Sequence, residues 1–270
     1  TQGAAATDSL SSALESSIVK WGSFTAIVHT AISAIKDIVS TYQELDDNLS
    51  AISAVSGIAT ESLWGDMPQM IDNANKLALS VDDLTNGMLL FYQQGLSTEE
   101  TEIRLNAAGK MAAISQQDLS TAVDQLTSTM NAFNMTGEDA QNVVDVFANM
   151  AGKTATDVEE LATAMARTAS IAKNAGMTFE QTTAFIATME ETTRLSAETI
   201  GNSMKSIIAR FQKLKADPES LLEDGVNAND VEKALKKADV ALRDTEGNFR
   251  NIGDVIMELS AKWDTLDTNT

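Results

Sequence analysis

Gly176-Met-Thr178-Phe-Glu-Gln181-Thr-Thr183-Ala-Phe-Ile186-Ala-Thr-Met189 holds a whole helical unit in fourteen residues. Gly176 suits the end of a preceding helix, because glycine tolerates the left-handed backbone that often closes one. Thr178 places a hydroxyl where it can accept from a free first-turn amide, and Gln181, three residues on, can answer the amide of the cap itself. Phe179, Thr183, Ile186 and Met189 then share one face at helical spacing. The stretch predicts a capped amphipathic helix that has to bury its stripe against a neighbour.

The same punctuation recurs upstream as Ser80-x-x-Asp83, Ser97-x-x-Glu100, Ser115-x-x-Asp118, Thr136-x-x-Asp139 and Thr156-x-x-Glu159. Successive caps, ending with Thr178, lie 17, 18, 21, 20 and 22 residues apart. Each interval accommodates one helix of about four turns and a short connection, the arithmetic of stacked helical hairpins. Gly95 lies two residues before a cap and Gly152 four before, as expected for helix ends. Val143, Val144, Phe147 and Met150 repeat the apolar stripe. Acidic residues crowd the first turns, at Glu99, Glu100 and Glu102 and again at Asp157, Glu159 and Glu160, where they oppose the positive end of the helix dipole. They read as solvated faces.

Toward the N-terminus the pattern is longer. Leu14, Ile18, Trp21, Thr25, Val28, Ile32, Ile35, Val39 and Tyr42 step alternately by 4 and 3, a heptad seam with Thr25 its one polar member. Beyond Tyr42 the seam shifts to Leu45, Leu49, Ile52 and Val55, and Gly57 offers a stop. A long amphipathic helix follows, with a coiled coil as one outcome. Its seam serves either packing within the chain or association between copies; Leu14, Ile18, Trp21, Val28, Ile32, Ile35, Val39 and Tyr42 are the candidate self-association residues.

Toward the C-terminus, Asp217-Pro218 reads as a cap with proline at the first helical position, followed by short helices at Leu221 to Asp224 and Ala228 to Lys237. From Val240 to Arg250 apolar and polar residues alternate around Gly247, which predicts a small β-hairpin. Ile252, Val255, Ile256, Leu259, Trp263 and Leu266 mark a final amphipathic helix. The expected class is mainly α: a long N-terminal helix over 1–57, a helical-hairpin core over 58–216, and a small α+β appendage over 217–270 with its hairpin at 240–250.

Composition narrows the function. The 270 residues include no Cys, one His, 2 Pro and 5% aromatics. No disulfide framework or thiolate metal site is available, and His29 has no second imidazole to join it. No metal, cofactor or catalytic residue is assigned. The sequence lacks G-x-S-x-G, H-E-x-x-H and G-x-x-x-x-G-K-[ST] motifs. Glu223 to Asp230 is rich in Asp, Asn and Gly but departs from calcium-loop spacing, and reads as a turn and cap. Nineteen basic against thirty-nine acidic residues leave a net charge of −20, the wrong sign for binding phosphates. Lys205, Arg210, Lys213 and Lys215, and then Lys233, Lys236 and Lys237, fall near helix ends without interleaved aromatics. No direct nucleic-acid binding is expected. Residues 1–10 show no export signal, and Trp21 to Ile35 is too short and too rich in Ser and Thr to span a bilayer. The chain begins without Met, compatible with a piece of a longer polypeptide.

The order of segments resembles a known family. Phe91-Tyr-Gln-Gln-Gly95-Leu-Ser97-Thr-Glu-Glu100, Ala107-Ala-Gly-Lys110, Leu126-Thr-Ser-Thr-Met-Asn131-Ala-Phe133 and Ala175-Gly176-Met-Thr178 are similar to the core region of tail tape measure proteins of long-tailed phages and prophages. So are Glu191 to Arg210, with Ile200-Gly201 at its centre, and Leu242 to Asp264. The resemblance covers roughly residues 45 to 266. It implies a structural virion protein and no enzyme. Such a protein acts as a ruler within the tail tube lumen, on which tube subunits polymerise, and leaves before DNA delivery. The implied partners are other copies of itself, the tail tube protein, tail assembly chaperones and tail-tip proteins, with membrane contact only during ejection. The implied location is the virion, and the host cytoplasm during assembly.

One unbroken helix of this length would span only about 400 Å at roughly 1.5 Å per residue, shorter than the tails such rulers usually measure. This too points to part of a longer ruler. Acidic charge suits a ruler that must not adhere to DNA, and short methionine-rich helices, dependent on tertiary contact, suit one that must come out. The alternative is a secreted or surface helical module that inserts Trp21 to Ile35 into membranes, which lipid response would distinguish.

Overall fold

The computed structural model describes residues 40–77, 79–216 and 228–262. Most of the N-terminal seam (Leu14, Ile18, Trp21, Val28, Ile32, Ile35 and Val39), with His29 and the Trp21 to Ile35 stretch, lies outside them. So do Asp217-Pro218, the helix expected at Leu221 to Asp224, Trp263 and Leu266. The chain divides into two compact units, the first ending at Asp66 and the second beginning at Met67.

In the first unit, residues 40–56 form helix α1 and Thr60–Gly65 form α2. Gly57 separates them at φ +76°, donating its N–H to Ser53 O at 2.9 Å. Leu49, Ile52 and Leu63 are buried. Tyr42 stacks on Trp64 with ring centroids 5.2 Å apart, and the Trp64 indole donates to Asp46 Oδ1 at 3.2 Å. Tyr42 still exposes 57% of its surface.

The second unit holds α3 (Met67–Leu77), α4 (Val81–Gln93), α5 (Thr98–Ser115), α6 (Leu119–Phe133), α7 (Ala140–Ala151), α8 (Val158–Asn174), α9 (Phe179–Thr193), α10 (Ala197–Ala216), α11 (Ala228–Lys237) and α12 (Ile252–Lys262). Connections of three to six residues join α4 through α10, with a single 3-10 turn at Gly137–Asp139 ahead of α7. Connections this short return each helix alongside its predecessor. Alternate helices therefore stack: α4 on α6, α6 on α8 and α8 on α10 form one layer, while α3, α5, α7 and α9 pack in series as the other. Between the layers, Phe179 takes Phe133 and Phe147 edge-on at 5.9 and 5.3 Å, a favoured aromatic geometry. Met111, Met130 and Met165 fill the same interior completely buried.

The caps explain where most of these helices begin. Ser80 and Asp83 form a reciprocal box at α4, and Thr178 and Gln181 do the same at α9. Thr136 donates its N–H to Asp139 Oδ2 at 2.8 Å. At α5, Ser97 Oγ accepts from Glu100 N at 3.2 Å, but the Glu100 carboxylate turns to Arg104 at 2.6 Å. Two expected caps are displaced. Ser115 belongs to the last turn of α5 and donates to Met111 O at 2.7 Å, so Asp118 precedes α6 instead. Thr156 shares a 2.8 Å hydrogen bond with the Thr154 hydroxyl, and the box at α8 is Asp157 with Glu160, one residue later.

The expected β-hairpin at 240–250 is not present: no strand forms among the described residues. Arg243 and Phe249 make one isolated antiparallel bridge. The alternation is real in burial, since Val240 and Leu242 are buried, and the backbone bonds across the turn, Arg250 N to Leu242 O at 3.1 Å and Asp244 N to Asn248 O at 2.9 Å, close this single bridge. Asp244 Oδ1 accepts from the backbone amides of Glu246 and Asn248 at 2.9 and 2.8 Å. The Arg243 guanidinium then lies 3.9 Å over the Phe249 ring. The architecture is mainly helical.

Two helix-end substitutions separate backbone geometry from packing. Gly95 has φ +78° and nothing within 4 Å of an added Cβ, so Gly95→Ala should lower stability by about 1 kcal/mol through backbone strain alone. Gln116 has φ 56°, and Gln116→Gly should raise stability by roughly 0.5 to 1 kcal/mol. Urea denaturation midpoints of the two variants should move in opposite directions; equal or reversed shifts would contradict this account.

Candidate functional site

Two of the open grooves on the second unit are lined by described residues. One, of about 340 Å³, is lined by Asp83, Asn86, Leu90, Gln93, Asp118 and Ser120. The other, of about 470 Å³, lies among Glu232, Lys236, Arg243, Asp244 and Glu258. Its charges already satisfy one another. Glu232 meets Lys236 at 3.0 Å and Arg243 at 3.3 Å, and Glu258 meets Arg250 at 2.8 Å and Lys262 at 3.4 Å. The Lys236 hydrogen bond holds Glu232 below the usual carboxylate range, and the Arg250 hydrogen bond does the same for Glu258. These are ion pairs that knit the α11–α12 region together. Among the described residues no set of three or more His, Asp or Glu side chains is placed to hold a metal ion.

Helix α10 approaches the backbone of α8 closely where the two cross. Ile200, Met204, Ile208 and Phe211 present a buried face of α10, and Gly201 removes the side chain that would hold the helices apart. A Cβ there would stand 2.9 Å from Ala164 O and 3.0 Å from Arg167 Cβ. Through this gap the buried Thr168 hydroxyl reaches Gly201 O at 3.1 Å, sharing its proton with Ala164 O at 3.0 Å. The Ile200-Gly201 stretch, the most recognisable part of the resemblance, thus lies where α10 comes close to the backbone of α8.

Glu190 stands apart from the ion pairs. It exposes 4% of its surface, and neither carboxylate oxygen has a hydrogen-bond partner. Burial pushes its carboxyl up to about 7, with the charges of Glu160 and then Asp157 adding to the effect. Sequence reasoning placed Met189 on the α9 stripe and missed Glu190, although the spacing Phe179, Thr183, Ile186, Glu190 continues the apolar face without a break. Of the proposed seam residues only Tyr42 is described, on α1 beside Trp64.

Residues 69–270 match the family model for phage-related minor tail proteins. The chain belongs to that family. It is 28% identical over 189 residues to the tape measure protein of Pneumococcus phage Dp-1, covering 70% of this chain and 16% of that protein. It is 23% identical over 237 residues to the probable tape measure protein of Escherichia phage P2, covering 86% of this chain and 27% of that protein. The chain therefore spans well under a third of the length of these curated relatives. No solved structure matches it significantly. Membership gives this minor tail family protein a structural role in a phage tail and a place in the virion; the family is not one of enzymes. No described helix is long and apolar enough to cross a membrane.

The crossing can be tested by setting helix propensity against contact. Alanine outranks glycine inside a helix by about 1 kcal/mol, yet Gly201→Ala should destabilise by about 2 kcal/mol because the added methyl meets backbone atoms. Thr168→Val, which removes the interhelical hydrogen bond, should cost about 1 kcal/mol. Thermal denaturation of both variants measures this; a stabilised Gly201→Ala would show that the helices separate at little cost.

Proposed function

We propose that this chain is a segment of a tail tape measure protein, which sets tail length and scaffolds polymerisation of the tail tube from within its lumen, then leaves before DNA is delivered. The observation that carries the proposal is the train of capped helices stacked in two layers. Such a train can be lengthened or shortened by whole units without disturbing a reaction site, as a ruler requires. Net charge supports the same reading. At −20 the chain repels DNA that follows it through a tube.

On this proposal the chain divides into a helix over 1–57, a hairpin core over 58–216 and an appendage over 217–270. Its partners are other copies of itself, the tail tube protein, tail assembly chaperones and tail-tip proteins. It occupies the tube lumen of the virion and, during assembly, the host cytoplasm. The heptad seam from Leu14 to Tyr42 joins copies.

In-phase deletion of one helical pair from the phage gene should shorten tails, by up to about 1.5 Å per residue removed if the ruler is fully extended helix. Electron microscopy of the tails reads this out, and unchanged lengths would refute the ruler. Light scattering of the chain with and without residues 1–44 addresses the seam: loss of an oligomer on truncation is expected, and a monomer in both cases would remove it.

A further inference from the structure

The α8–α9 junction contains a carboxyl group that the tail reading does not use. Glu190 lies four residues beyond Ile186 and seven beyond Thr183, both buried, so it carries the inner face of α9 into its last turn. A neutral carboxyl in that position forgoes hydrogen bonds, whereas an ionised one also gives up its hydration with no cation to offset the loss. The charges that act on it are Glu160 and Asp157 of α8. Both are fixed by the α8 cap, where Asp157 Oδ1 accepts from Glu160 N at 2.8 Å and Glu160 Oε2 accepts from Asp157 N at 3.3 Å. The other helices packed against α9, namely α7 and α10, bring no charge to bear on it among the described residues. Arg194, at the end of α9, donates Nη1 to Ala155 O at 2.8 Å. Its guanidinium clasps the α7–α8 connection and leaves Glu190 unneutralised.

We propose that Glu190 is a proton-operated latch: with its carboxyl neutral the last turn of α9 stays packed on the start of α8, and loss of the proton opens this junction while the α8–α10 crossing holds. The sign follows from linkage. The folded state binds the proton more tightly than the unfolded chain, so the latch is fully closed below the ordinary value of 4.5 and loses its contribution as pH rises through about 7. The capping box sharpens the device, because the same carboxylates that start α8 repel a second charge at Glu190. The inference rests on the packing of two helices and is independent of the role in a tail.

Hydrogen exchange of the full chain across about pH 5 to 9, corrected for intrinsic rates, tests it. Protection over 155–161 and 186–196 should fall about tenfold or more through neutrality while 164–168 and 201–208 keep theirs. Glu190→Gln should abolish that fall, and Glu160→Gln should move its midpoint to lower pH. If the amide introduced by Glu190→Gln prevents folding, Glu190→Met supplies similar volume without a hydrogen-bonding group to satisfy and should give the same flat profile. An unchanged profile in whichever variant folds would overturn the latch, as would a carboxyl carbon titration of Glu190 centred in the ordinary carboxylate range.

Discussion

At the crossing of α8 and α10 a bare α-carbon faces a peptide carbonyl, and the second unit is organised around that approach. With Gly201 against Ala164, the helices come close enough for Thr168 to bond across the gap. Dispersion attraction falls off steeply with separation, so small residues at the contact widen the apolar face that α10 can bury. Helix α8 also packs on α6 and α9. Through α6 and α10 in its own layer and α9 in the other it joins the two layers, as α5 with α6 also does.

The remaining helices follow from the same economy of contact. Short helices gain most of their stability from tertiary contact, and each of α3 to α8, of eleven to eighteen residues, packs on a neighbour two places along and on its immediate successor. A stack of that kind buries its apolar stripes between neighbouring helices. Its surface is acidic, its grooves are open and the charges of the larger one are paired. These properties are consistent with membership of a structural tail protein family.

Much of this was legible from residue order because capping is local. Ser80, Ser97, Thr136 and Thr178 declare helix starts within four residues, and the structure uses each of them. Local signals also mislead when two share a frame. Thr156-x-x-Glu159 and Asp157-x-x-Glu160 both fit the box, and only the Thr154 hydroxyl, which engages Thr156, decides between them. Helix ends at Gln116, Asn134 and Arg194 adopt left-handed backbone without glycine, so no glycine signalled them. Between Val240 and Arg250 the alternation is present, but the pairing stops at one bridge, with the Asp244 carboxylate accepting the turn amides of Glu246 and Asn248.

Composition, charge and cap spacing by themselves determined an acidic, mainly helical chain, one helix per interval, without the familiar catalytic motifs, because those properties depend on neighbours in sequence. Tertiary structure alone decided that alternate helices stack, that Gly201 faces the backbone of α8, and that Glu190 is a buried acid. Each depends on which faces meet across tens of residues, and a one-dimensional pattern contains the faces but not their partners.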